Sequence, residues 1–203
     1  MGDKTYTAQQ YTCRIAGILA GLPFTRSSTY YELAEVESIT EIEDVDAAID
    51  NGQLVLINDG EKVKIGRGVN SLTTVTADQK EDWKKIKIVD VMDMITDDIR
   101  DTFNNGYVGK VQNTADNQIL FIVAVKAYFK GLAAQSILEP TYNNNAEIDV
   151  AAQRLAWESI GTDTTAWDDT QVRNMPFGSE VFLSGNVKIV DAMEDLTFNI
   201  FSA

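Results

Sequence analysis

Acidic and basic side chains carry whatever chemistry this sequence could do, because its 203 residues include no histidine and a single cysteine, Cys13. The lack of histidine excludes Ser-His-Asp and Cys-His nucleophile systems and HExxH zinc sites. Catalysis would have to use carboxylates, lysines or a carboxylate-bound metal. One cysteine allows no internal disulfide, and a lone cysteine in an apolar stretch is typical of a small buried side chain.

The sharpest acidic pattern is a set of four aspartates at three- and four-residue steps: Asp90, Asp93, Asp97 and Asp101. This spacing places all four on one face of a helix. Carboxylates suit Mg²⁺ or Ca²⁺, but a metal site needs further ligands from a second element. The pattern therefore favours a solvated or partner-facing surface, with Arg100 pairing locally, and divalent-metal binding is the alternative.

One dense basic patch stands in this acidic chain, within the stretch KEDWKKIK: Lys80, Lys84, Lys85 and Lys87. These lysines could pair locally with Glu81 and Asp82, or form a docking patch for an acidic neighbour; both interpretations stay open. The net charge of -14 disfavours nucleic acid as a partner. No apolar run is long enough to cross a bilayer, so no membrane anchoring is expected. No cluster predicts an active site or a cofactor, and we expect the protein not to be an enzyme.

Helix and strand patterns alternate in the first third of the chain. Apolar spacing predicts a helix with a stripe of Tyr11, Ile15, Ile18 and Leu22, ended by Gly21 and Pro23. A strand is predicted over 31–39, and a short helix over 41–50 with a Thr40–Glu43 capping box. A hairpin is predicted around Asn58-Asp59-Gly60.

Helices dominate the remainder. A long helix is predicted from about Ala77 to Asn104, with Asp78 as N-cap and a core stripe formed by Ile86, Val89, Met92, Ile95, Ile99 and Phe103. A second helix, opened by Asp116 or Asn117, is apolar on most sides and should be largely buried. Further helices are predicted over 149–161 and 164–176, and two strands close the chain. The order predicts an α+β fold, a mixed β-sheet packed with several helices. Residues 5–203 are expected to form one compact unit, with a sub-boundary near 76–80 as an alternative.

The two closing strand patterns, NVKIV and LTFNIF, flank a bend over 191–195. In the first, Val187 and Ile189 should face the core. In the second, Leu196, Phe198 and Ile200 fall on one face, and Thr197, Asn199 and Phe201 on the other. The two patterns could form a hairpin that closes the protein's own sheet, or the last strand could offer its edge to another chain.

Three stretches in a fixed order carry a resemblance to a known family: VKIGRGVNSLTT, KKIKIVDVMDMITDDIRDTFNNGYVGKVQN and GSEVFLSGNVKIVDAMEDLTFNI. They are similar to the C-terminal part of contractile phage tail sheath proteins, especially those of myophage-like particles and contractile bacteriocins of Gram-positive bacteria. YTCRIAGILAGLPFTRSSTYYEL and AIDNGQLVLINDGEKVKI resemble the region just upstream. Such proteins usually carry a further N-terminal region before the first of these stretches.

The resemblance implies a structural subunit that polymerises around an inner tube and contracts to drive that tube through a cell envelope. It implies β-augmentation, in which the C-terminal strand pairs with a neighbouring subunit through Leu196, Thr197, Phe198, Asn199, Ile200 and Phe201. Implied partners are other sheath subunits, the tube protein, the baseplate and the tail terminator. The implied location is a virion tail or phage-tail-like particle, assembled in the bacterial cytoplasm. An adaptor domain that binds a partner through its edge strand, without forming a lattice, is the alternative.

Overall fold

The computed structural model describes residues 4–76 and 80–201, which fall into two compact units. The first unit comprises Met1–Asp93 and Asp191–Ala203, and the second unit Met94–Val190. The class is α+β, as predicted, although the described strands form two separate antiparallel pairs instead of one mixed sheet. In chain order the elements are α1 (Ala8–Gly21), α2 (Val45–Asp50), β1 (Leu56–Asn58), β2 (Val63–Ile65), a 3₁₀ helix (Glu81–Lys84), α3 (Ile86–Gly106), α4 (Ala115–Ala134), β3 (Asn145–Ile148), α5 (Val150–Ser159), α6 (Asp169–Arg173) and β4 (Leu183–Asn186).

The core of the first unit forms where α1 packs on the β1–β2 hairpin. Ile18, Leu33 and Val63 are its buried centre. The predicted α1 stripe is confirmed, since Tyr11, Ile15 and Leu22 pack around that centre. The hairpin is also confirmed, with Asn58 opposite Val63 across the turn. Cys13 lies on the exposed side of α1, so its predicted burial is wrong.

The predicted strand over 31–39 is wrong. The segment makes one bridge, between Glu32 and Lys64, and turns away after the Leu33 amide donates to the Val63 carbonyl. Its alternating pattern instead reflects half-buried side chains of a turn-rich segment packed on the same core. The Thr40–Glu43 capping box is likewise wrong, because Asp44 caps α2 by accepting from the Ala47 amide.

The long helix begins later than predicted, at Ile86, after the 3₁₀ helix. The predicted N-cap, Asp78, lies outside the described residues. Of the predicted stripe, Ile95 is buried, while Ile86, Val89, Met92, Ile99 and Phe103 are half-buried. Two other buried apolar side chains of the helix, Ile88 and Val91, lie outside the predicted stripe. The boundary between the two units falls within α3, after Asp93.

Ile65 of β2 offers a sharp test of the first unit's core because its side chain is fully buried. Ile65→Ala is expected to lower the free energy of unfolding by about 2–5 kcal/mol, since it leaves a cavity in close-packed surroundings. Ile42→Ala removes the same atoms from a site that is 40% exposed and should cost less than about 0.5 kcal/mol. Urea denaturation followed by circular dichroism measures both; equal losses would contradict this core assignment.

The second unit is organised around α4, whose Phe121, Val125 and Phe129 are buried. Thr114 caps this helix, two or three residues before the predicted start. Phe103 and Tyr107 pack against Phe121, with ring centroids 5.3 and 4.7 Å away. The expectation that α4 is buried on most sides is wrong, because its other face exposes three apolar side chains, Ile119, Leu120 and Val123.

Strands β3 and β4 form the antiparallel pair of the second unit. This pairing differs from the hairpin that the sequence allows for the last two strand patterns. Strand β3 was not predicted; it pairs with β4 from Asn145 opposite Asn186 to Ile148 opposite Leu183. Ile189 forms one more bridge, with the buried Leu138, and Val187 and Ile189 are half-buried. The hairpin between NVKIV and LTFNIF does not form, because the strand that precedes the bend pairs upstream.

Candidate functional site

The closing segment, residues 196–201, is neither helix nor strand and has no strand partner among the described residues. Its apolar side chains are turned to solvent: Leu196 is 89% exposed, Phe198 75%, Ile200 81% and Phe201 90%. Transferring such side chains from water to an apolar contact is worth roughly 1.5–3 kcal/mol each. The segment therefore carries both unpaired backbone groups and an apolar surface, which is the combination that favours pairing with another chain.

Glu194 holds the base of this segment on the first unit. Its side chain is only 7% exposed. Carboxylate oxygen Oε1 accepts hydrogen bonds from the hydroxyls of Ser27 at 2.7 Å and Thr29 at 2.6 Å. Oxygen Oε2 lies 3.1 Å from the Arg67 guanidinium and 3.5 Å from Lys85 Nζ. We call these five residues the Glu194 cluster.

The neighbouring carboxylates complete the charge balance around this cluster. Asp191 pairs with Lys85, and Asp195 pairs with Arg67. The Gly68 amide donates to the Thr29 hydroxyl at 3.0 Å, which orients the hydroxyl towards Glu194. A buried carboxylate that receives this many donors is well compensated for its loss of water.

The surroundings of Glu194 act on its pKa in opposite directions. Burial raises the pKa, while hydrogen bonds from Thr29 and Ser27 and the positive charge of Lys85 lower it, and the net pKa lies below the ordinary value of 4.5. Arg67 lowers the pKa of Asp195 as well. Both groups are thus charged in the folded protein at neutral pH.

Acidification is expected to weaken this cluster. A carboxylate whose pKa is lower folded than unfolded adds stability that is fully present above the unfolded pKa, here 4.5, and is lost as pH falls through the folded pKa. The free energy of unfolding should therefore fall below about pH 4.5, and Glu194→Gln should make that fall shallower. Urea titrations at a series of pH values test this; identical slopes in parent and variant would contradict it.

The four lysines of the predicted basic patch have different surroundings in the structure. Lys80 is exposed, and Lys84 pairs with Glu81 at 2.7 Å. Lys85 belongs to the Glu194 cluster, and Lys87 is buried, which lowers its pKa. Only Lys80 and Lys84 are thus placed where a docking partner could reach their charges without disturbing the cluster.

The acidic face of α3 is exposed at Asp90, Asp93, Asp97 and Asp101, and Arg100 pairs with Asp97 at 2.8 Å. Burial and the nearby Asp93 raise the pKa of Asp90. Within 4–76 and 80–201, no three metal-ligating side chains gather to hold an ion. In the same residues, no helix is long and apolar enough to cross a membrane.

Sequence patterns did not reveal the Glu194 cluster. Ser27 and Thr29 lie 167 and 165 residues from Glu194 along the chain, and Arg67 lies 127 residues away. Periodicity and capping signals act over a few residues, so they cannot report such a contact. The only local signal is the acidic stretch over 191–195, whose pattern predicts a bend.

Comparison with known protein families gives one match, to the phage tail sheath C-terminal domain over residues 78–202. The tail sheath protein of Clostridium phage phiCD119 is 39% identical over 196 residues, covering 96% of this chain and 54% of that protein. An uncharacterised protein of Bacillus subtilis is 31% identical over 98 residues, or 46% of this chain and 21% of that protein. The chain thus spans about half the length of the phage protein, and the match to the Bacillus subtilis protein covers a smaller part of that protein.

Solved structures share the fold. A sheath tail protein from Desulfitobacterium hafniense matches with a TM-score of 0.61 at 24% identity, over 71% of this chain and 35% of that one. The baseplate of the anti-feeding prophage contains a chain that matches with a TM-score of 0.64 at 11% identity, over 96% and 50%. At these identities the likeness establishes the architecture and not the role of any residue.

Proposed function

The chain belongs to the phage tail sheath family, and from this premise we propose that it is a structural subunit of a contractile tail sheath. In this proposal, subunits polymerise around an inner tube and contract to drive the tube through a cell envelope. Other sheath subunits, the tube, the baseplate and the tail terminator are the partners. The subunit assembles in the bacterial cytoplasm, resides in a virion tail or phage-tail-like particle, and needs no catalytic group or cofactor.

One observation carries the proposal: the closing segment is rich in apolar side chains, exposed, and without a strand partner within the described residues. We expect it to add a strand to the sheet of a neighbouring subunit, with Leu196, Phe198 and Ile200 covered by that neighbour. Main-chain hydrogen bonds of this kind do not depend on one rigid angle between two subunits. Linked copies could then rotate and slide during contraction without separating.

Electron microscopy of a chimera tests the proposal. In the chimera, this chain replaces the matching 54% of the Clostridium phage tail sheath protein. Tubular polymers would support a sheath subunit. Dispersed single particles would contradict it and favour the adaptor, which binds through its edge strand and forms no lattice. The chain by itself is expected to be a monomer or a small oligomer.

The docking patch remains a prediction and is now tested best at Lys80 and Lys84. Reversing both charges to Glu is expected to reduce the yield of chimeric tubes, because an acidic neighbour would meet negative charge. The matched control is Lys126→Glu with Lys130→Glu, which makes the same charge change on exposed positions of α4. Yields are compared by sedimentation and microscopy. An unchanged yield, or an equal loss in the control, would remove the patch as a specific contact.

A further inference from the structure

The contacts that hold the end of the chain on the first unit stop between Asp195 and Leu196. Glu194 is buried in its cluster, and the exposed Asp195 still pairs with Arg67. From Leu196 to Phe201, no residue takes part in a strand, a bridge or a backbone hydrogen bond within the described chain. The boundary therefore lies at the Glu194 cluster and not at the last strand.

We propose that Glu194 is a positioning residue that anchors the base of the closing segment, so that the segment always leaves the first unit from one fixed point. This inference rests on the proposed coupling role of the closing segment. It adds which side chains hold the segment and what limits the distance that the segment can reach.

The anchor shortens the reach of the free chain. Six extended residues span at most about 20 Å. The next held residue upstream is Asp191, which pairs with Lys85. Without the Glu194 carboxylate, the free chain would begin after Asp191 and contain about ten residues. Effective concentration falls roughly as the −3/2 power of the length of a flexible linker, so release would lower it about two- to threefold.

The chemistry of the cluster explains why glutamate suits the position. Its two oxygens serve two different donor sets, with hydroxyls on Oε1 and cations on Oε2. Glutamine could keep the hydroxyl contacts, but would turn an amide nitrogen towards Arg67 and Lys85. Alanine would lose the contacts to the hydroxyls and to the cations. Glu194→Gln should therefore weaken the anchor partly, and Glu194→Ala should remove it.

Distance measurements on the isolated chain test the anchor directly. The exposed Cys13 on α1 provides one spin-label site, and Thr197→Cys provides the other. Double electron–electron resonance is expected to give a narrow distribution in the parent, a broader one for Glu194→Gln and the broadest for Glu194→Ala. Asp195→Ala is the control and should stay close to the parent, because it leaves the carboxylate of Glu194 in place. Distributions as narrow as the parent's in both Glu194 variants would overturn the anchor.

A second measurement covers variants that fold less well. Backbone order parameters from amide ¹⁵N relaxation over 191–195 should fall in Glu194→Gln while those of the β1–β2 hairpin stay unchanged. A fall confined to 191–195 supports local release of the anchor. An equal fall in the hairpin would mean general loosening of the first unit and would contradict a positioning role.

Association of chimeric subunits separates the anchor from the proposed function. Deleting residues 196–203 should abolish tube formation by the chimera if the closing segment couples copies, whereas Glu194→Ala should weaken association within the lattice about two- to threefold. Broad distributions in Glu194→Ala, with association unaffected by the deletion, would keep the anchor and overturn the coupling role. Loss of association on deletion, with unchanged distributions in Glu194→Ala, would keep the coupling role and overturn the anchor.

Discussion

Two aspartates placed on the apolar face of the closing segment, Phe198→Asp with Ile200→Asp, are expected to abolish formation of tubes by the chimera. Both side chains are more than 70% exposed in the single chain, and in the proposed coupling a neighbour that pairs with the segment would bury them. A carboxylate left without a partner in such a contact opposes association by several kcal/mol, which corresponds to more than a hundredfold loss in affinity.

The opposite face of the same segment provides the matched control. Thr197→Asp with Asn199→Asp changes the charge by the same amount, two residues apart in the same way, but on the other side of an extended strand. Tubes should persist in this variant at reduced or equal yield. Electron microscopy and sedimentation measure both pairs. Equal loss would show that charge alone disrupts assembly, and equal persistence would show that the segment is not buried between subunits.

Neither pair of substitutions should change the stability of the single chain. The closing segment is exposed, so the folded and unfolded states present these side chains to water alike, and the free energy of unfolding should shift by less than about 0.5 kcal/mol. Thermal unfolding of the isolated chain therefore separates an assembly defect from a folding defect.

Sequence patterns predicted the helices and the hairpin that depend on interactions between residues close together in the chain. The α1 stripe, the Asn58-Asp59-Gly60 hairpin, and the positions of α5 and α6 all depend on residues within a few positions of one another. The start of α3 was wrong because the preceding turn is a 3₁₀ helix that carries similar polar residues. Strand β3 was missed because its short run, NAEI, becomes a strand only through pairing with β4.

The proposed interaction surface rests in part on local patterns. Alternation along LTFNIF predicts two faces of a strand, and the resemblance to sheath proteins points to strand donation. The other half of the site, the anchor, depends on Ser27, Thr29 and Arg67, which come near Glu194 only through the fold. The basic patch shows the converse error. Four lysines look equivalent along the sequence, but Lys87 is buried and Lys85 pairs with Asp191 and Glu194. By contrast, Lys80 is exposed and Lys84 pairs with Glu81.

That division predicts a large effect for one lysine. Lys85→Glu would place a third carboxylate beside Asp191 and Glu194, where the parent has an ion pair. Leaving partly buried charged groups without their partner costs about 1–3 kcal/mol or more. We expect a loss of that order in the free energy of unfolding, with lower backbone order parameters over 191–195. Lys80→Glu makes the same reversal at an exposed site and should change neither quantity.

A charge swap decides whether the effect comes from this ion pair. Lys85→Glu combined with Asp191→Lys restores one opposite-charge contact while leaving Glu194 facing an acid. The order parameters over 191–195 should therefore rise again but not reach the parent values. The coupling energy from the double-mutant cycle should favour the swap by about 0.5–3 kcal/mol. No coupling would mean that Lys85 holds the closing segment through packing of its aliphatic stem. Lys85→Met separates the two contributions because it keeps an apolar side chain of similar length and removes the charge. If packing dominates, the free energy of unfolding of Lys85→Met should match that of the parent. If the ion pair dominates, Lys85→Met should lose stability as Lys85→Glu does, but by less.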